Sequence, residues 1–173
     1  MNELDEVWEN LQNQSSFNAK TAGRNDVADY LALKEANDKI RLTAVKWLFD
    51  ILFEAVSRAN EKNARITIEQ KESHKFDHRS AVLTGSLMRF RQGVRCLTIE
   101  AGWTRTTQDG FMRGNALAYA RFNHFGFAKQ NAELVLRRTD ELPEWFVVDE
   151  DNLLHLFDLN QLVKHFHIFL GTV

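Results

Sequence analysis

The sequence holds a single proline, Pro143, and a single cysteine, Cys96. One thiol has no partner for an intrachain disulfide, so a packed core has to hold the fold, and the usage suits a reducing compartment. With the proline at position 143, no earlier segment is forced to break. No apolar run approaches the roughly 20 residues that cross a bilayer, because Asp50 and Glu54 interrupt the best stretch, WLFDILFEAV. The first residues, MNELDEVWEN, are acidic and lack the basic-then-apolar order of a secretion signal. A cytoplasmic chain with no membrane partner is the expectation. Also missing are a G-x-S-x-G elbow, a phosphate loop, a dinucleotide-binding glycine pattern and a Cys-x-x-Cys pair. Hydrolase, NTPase, redox and zinc-ribbon chemistry therefore have no local support, and no catalytic residue can be named. Internal repeats and low-complexity tracts are absent too.

What is present is a chain of 173 residues, 44% apolar, long enough for one sizeable core. It reads as a single α+β domain: an N-terminal arm over 1–25, a long helix over 26–62, an antiparallel sheet over 64–158 and a C-terminal helix over 159–170. The formal charge of −2 is unevenly placed, with balances of −3 over residues 1–63, +7 over 64–138 and −6 over 139–173. The basic middle coincides with the expected sheet, which makes an anionic partner the natural one for that surface.

The sheet is organised around Leu87 to Phe127, where apolar and arginine-bearing positions alternate between turn signals. A tight turn at Gln92-Gly93 would set Arg91 opposite Val94 and Arg89 opposite Cys96. In the following strand Arg95, Leu97, Ile99, Ala101 and Trp103 share one face, and Val94, Cys96, Thr98 and Glu100 the other. Six of the eight glycines fall between Gly85 and Gly126, which favours a meander of five to seven antiparallel strands over parallel strands with helical crossovers. ARITIEQKE and AELVLRR also alternate and read as strands. ESHKFDHRS, polar throughout, reads as a loop. EWFVVDEDNLLHLFD reads as two short strands around residues 149–152.

Leu4, Val7, Trp8 and Leu11 fit a short helix over residues 1–14. Asn25 or Asp26 is a plausible cap for the long helix, which has no internal glycine or proline; a break near Asn37-Asp38 is the alternative. Its apolar arc puts Ile40, Ala44, Trp47, Leu48, Ile51 and Ala55 on one side and Leu42, Val45, Phe49, Leu52, Phe53 and Val56 toward the other. That is wider than one packing surface needs. Cover from two sides is expected, by the sheet and by either the terminal helices or a second copy of the chain. Leu159, Leu162, Val163, Phe166 and Leu170 mark the closing helix.

Three function classes follow. The first is a non-enzymatic binding or accessory protein that meets nucleic acid or an acidic protein through Arg89, Arg91, Arg95, Trp103, Arg105, Arg121, Phe125 and Phe127. Guanidinium forks suit phosphate and carboxylate, and arginine stacks on interleaved rings. Phe125-Gly126-Phe127, preceded by Arg121 and Phe122, resembles part of the central strand of RNA-recognition-motif domains, whose aromatics stack on bases. Asn123, His124 and Gln130 depart from that pattern and the βαββαβ order is missing, so the family is not carried over. The second class is a small-molecule pocket between sheet and helix, beside Trp103 or Trp47. The third is a divalent-metal phosphodiesterase around His74, Asp77, His78 and Glu100. A strand ending in Ile99-Glu100, after a helix and an earlier acidic strand, loosely resembles the PD-(D/E)xK nucleases, with Gly102 where their lysine stands.

Overall fold

The computed structural model describes residues 25–140 and 142–172; the helix expected over residues 1–14 lies outside them. The chain divides into two compact units, Met1–Leu42 and Thr43–Val173. Helix α1 runs unbroken over Asn25–Glu61, with Asp26 in its first turn and Arg58 in its last, the signs that the helix dipole favours. Within the first unit Asp38 and Arg41, one turn apart, form an ion pair at 2.7 Å.

In the second unit seven strands form one sheet in sequential order: β1 (Thr67–His78), β2 (Ala81–Gln92), β3 (Arg95–Trp103), β4 (Ala116–His124), β5 (Ala132–Arg137), β6 (Glu144–Val148) and β7 (Leu154–Leu156). Every neighbouring pair is antiparallel. Helix α2 (Leu159–Leu170) closes the chain. The fold is thus α+β, an antiparallel meander with a long helix before it and a shorter one after it.

Strand alternation gives the sheet two unlike faces. Met88, Phe90, Leu97, Ile99, Ala101, Phe122, Leu134, Leu136 and Trp145 are buried on one of them, in register across the strands. Both helices pack there: Trp145 donates its indole N–H to the Ala44 carbonyl at 3.3 Å, and Phe90 meets Phe169 of α2 ring to ring. From Thr43 onward α1 buries Val45, Leu48, Phe49, Leu52 and Val56, a single stripe at helical spacing, and leaves Trp47 and Phe53 exposed. The described residues therefore cover the apolar arc on one side only. Helix α2 buries Leu162, His165, Phe166 and Phe169, so its inward stripe is rotated from the expected one and Leu159 and Val163 face out. Asp158 caps it by accepting from the Gln161 N–H at 2.9 Å, and Gly171 ends it at φ 70°.

Two local expectations need correction. ESHKFDH is strand, not loop: β1 continues to His78 after a register shift between Lys71 and His74, where Ser73 takes φ 55°. Beyond that bulge only Phe76 is a buried hydrophobe, so there was no apolar period to read. The β2–β3 turn is Gly93-Val94, pairing Gln92 with Arg95, Arg91 with Cys96 and Arg89 with Thr98. Gly93 alone has positive φ, as a turn with glycine in its first central position requires. The slip moves each partner by two residues, so the assignment of residues to faces survives it.

Candidate functional site

The second face of the sheet carries the polar chemistry. By register it presents Glu69, Lys71, His74, Phe76 and His78 from β1, Leu87, Arg89 and Arg91 from β2, and Cys96, Thr98 and Glu100 from β3. It continues through Tyr119 and Arg121 of β4 to Glu133, Val135 and Arg137 of β5.

At its centre Glu100 is buried and holds two partners. His74 Nε2 lies 2.7 Å from one carboxylate oxygen, and Arg121 donates its Nε–H to the other. His74 reaches β3 across β2 because its register partner there is Gly85, itself paired with Gly102, so no side chain stands in the lane. Burial alone would raise the Glu100 carboxyl. The hydrogen bonds and charges of Arg121 and His74 outweigh that and hold it below the usual carboxylate range. Arg121 also donates to the Asp77 carbonyl at 3.2 Å and lies over the Phe76 ring, its guanidinium carbon 5.1 Å from the centroid.

Beside this cluster is a groove of about 240 Å³ lined by Arg79, Arg113, Gly114 and Arg137 toward one end, and by Glu133, Val148, Asn152 and Leu154 toward the other, with His78, Tyr119 and Val135 between them. The strand ends assign these positions. Arg79 sits in the β1–β2 turn, Arg113 and Gly114 precede β4, and Arg137 closes β5 opposite Ala116; Glu133 pairs with Val148, the last residue of β6. Arg137 is fixed by donating to the Gly114 carbonyl, through Nε at 3.1 Å and again through Nη2. Tyr119 donates its hydroxyl to the Arg113 carbonyl at 3.2 Å and stacks on His78, centroids 4.1 Å apart. Burial lowers the His78 pKa; Glu133 works against that, and Arg79 and Arg121 add to it.

The residues singled out in the sequence are dispersed over this architecture. Arg89 is on the polar face, donating to Glu69 at 2.8 Å and to Thr98 at 3.3 Å, and Arg91 lies exposed beside it. Arg121 belongs to the Glu100 cluster. Arg95 points the other way and donates to the carbonyls of Ile168 and Phe169 at the end of α2, at 3.4 and 3.3 Å. Trp103 is only 2% exposed and belongs to the core layer under the helices, and the Arg105 guanidinium lies 3.9 Å from its ring centroid. Phe125 and Phe127 fall in the turn after β4, largely exposed, with the Phe125 N–H donating to the Cys96 carbonyl at 2.9 Å. The arginines thus do not share one surface, because strand alternation turns Arg95 under the sheet.

Of the group His74, Asp77, His78 and Glu100, the structure joins His74 to Glu100 only. Asp77 alternates to the opposite side of β1, and His78 is engaged with Tyr119. Among the described residues no cluster of three or more histidine, cysteine or carboxylate side chains is placed to share a metal ion. The groove residues Arg79, Arg113 and Arg137 were counted in the sequence only as part of a basic segment. What brings them together is a hairpin turn, a loop and a strand end, and no local spacing records that. No family model, no curated protein and no solved structure matches the chain.

Proposed function

We propose that this protein is a non-enzymatic binding or accessory protein that receives an anionic partner, a single-stranded nucleic acid, on the polar face of its sheet. The observation that carries this reading is the concentration of cations: Arg79, Arg89, Arg91, Arg113, Arg121 and Arg137 stand on that face or its rim. Of the carboxylates among them, Glu69 and Glu100 are already engaged by Arg89, Lys71, His74 and Arg121, and Glu133 stands at the far end of the groove. Arginine is the suitable cation for such a surface, since its fork meets phosphate oxygens in pairs and its plane stacks on bases. Tyr119 and Phe146, partly accessible, supply rings beside it.

The test is titration of a labelled oligothymidylate by fluorescence anisotropy at several salt concentrations. Binding through phosphates weakens linearly in log–log form as salt rises, and Arg91→Ala and Arg89→Ala each lower affinity and flatten that slope by about one counterion. Affinity that ignores salt, or that survives both substitutions unchanged, would defeat the proposal. Equal competition by polyglutamate would redirect it toward an acidic protein.

A further inference from the structure

Beyond the broad polar face, we infer that the groove is a small-molecule site for a linear ligand with an oxyanion at one end, an aliphatic middle and a hydrogen-bond donor at the other.

The polarity of the lining carries this. Arg79, Arg113 and Arg137 meet at one end, where Arg137 is already positioned by the Gly114 carbonyl. Three arginines from three different chain segments line the same end of the groove, and guanidinium is the group suited to carboxylate or phosphate oxygens. The middle is Val135 with the His78–Tyr119 stack, which offers carbon and no unpaired charge. At the far end stand Glu133, Asn152, Val148 and Leu154. Glu133 supplies a carboxylate acceptor and Asn152 an amide, so that end welcomes an ammonium or hydroxyl group and repels a second anion.

Distance selects the ligand's length. Arg137 and Glu133 are four residues apart on β5, about 13 Å at 3.3 Å per residue. A backbone of six to eight carbons spans that once both side chains lean inward. The volume, about 240 Å³, is below the range of drug-sized pockets and admits one such chain. Carboxylate and phosphate heads share the chemistry that the arginines read, and the comparison of heads separates them.

The site is tested on the full chain by titrating amide NMR shifts with 8-aminooctanoate, octanoate, octanedioate, octyl phosphate and octylamine. Binding in the order 8-aminooctanoate, octanoate, octanedioate is expected, with octylamine weakest. Octyl phosphate stronger than octanoate identifies a phosphate head, and the reverse a carboxylate. Arg113→Ala should weaken every anion by about tenfold. Arg79→Asn, which keeps a residue tolerant of the turn's φ of 55°, should do the same. Glu133→Gln should erase the preference for 8-aminooctanoate over octanedioate. All three positions lie at the surface or in a turn, so the variants fold. Shifts that do not saturate, that map away from the groove, or that ignore Arg113 and Glu133 overturn the inference. No binding of these ligands to the unsubstituted chain, with oligonucleotide binding present, sinks the groove alone. The opposite outcome sinks the nucleic-acid reading and leaves the groove standing.

Discussion

His165 of α2 sits with Nδ1 3.0 Å from Nε2 of His124, both rings buried and stacked, with Phe122 and Phe157 packed around them. One ring donates and the other accepts, which works only while at least one is neutral. Burial lowers His165 to about 4, with the charges of His124 and Lys164 adding to the effect, and burial lowers His124 as well. The unfolded chain therefore binds protons first as pH falls, and the folded state loses stability between its unfolded value near 6.5 and about 4. For His165 alone the loss is on the order of 3 kcal/mol. Urea unfolding followed from pH 7.5 to 4.5 should show it, and His165→Leu should flatten the profile; an unchanged midpoint across that range would contradict the pair's role. Gly85 is a second residue-scale case. A Cβ there would run into the Ala101 carbonyl, a backbone atom that cannot step aside. Gly85→Ala should cost about 2 kcal/mol or more. Gly93→Ala, where φ is 58° and the space is open, should cost about 1 kcal/mol from backbone strain only. Thermal melts of the two variants give the comparison.

At the scale of elements, α2 is held by both ends and one face. Asp158 caps its start, Arg95 reaches the last carbonyls, and Leu162, Phe166 and Phe169 fill the layer against the sheet. Phe169→Ala should lose about 3 to 5 kcal/mol as a core truncation, and Asp158→Ala about 1 kcal/mol as a lost cap. If circular dichroism showed the reverse ranking, the helix would be held by its ends and not by its face. β1 shows the opposite balance. Its second half lies at the sheet edge with Phe76 as its buried hydrophobe, and its place is fixed by the two-residue turn to β2 and by His74 reaching Glu100. Pattern reading missed that half because its one buried hydrophobe, Phe76, clusters with Ala81 and Leu83 of β2 and leaves no apolar alternation along β1 itself.

At the scale of the second unit, the sheet separates two jobs. One face joins α1 from Thr43 and α2 in a single core, so Leu48→Ala in α1 should lower the same unfolding transition as Phe169→Ala, by about 2 to 5 kcal/mol. Far-ultraviolet and near-ultraviolet signals should move together; separate transitions would show that the helices unfold independently of the sheet. The other face holds a smaller apolar cluster of Phe76, Ala81 and Leu83 with Met112 and Tyr119 packed on it, and leaves the rest to polar side chains and the groove.

Helical spacing, alternating hydrophobes and clustered glycines determined the meander, the two helices and the face on which each residue of β3 points, because those depend on near neighbours along the chain. Strand parity was enough to separate Arg95 and Trp103 from Glu100. The meeting of Glu100 with His74 and Arg121, of His124 with His165, and of the three groove arginines was decided only in three dimensions. Residues 20 or more positions apart come together through register and turn geometry, and a two-residue shift of register in a hairpin is invisible to local periodicity although it sets which side chains touch.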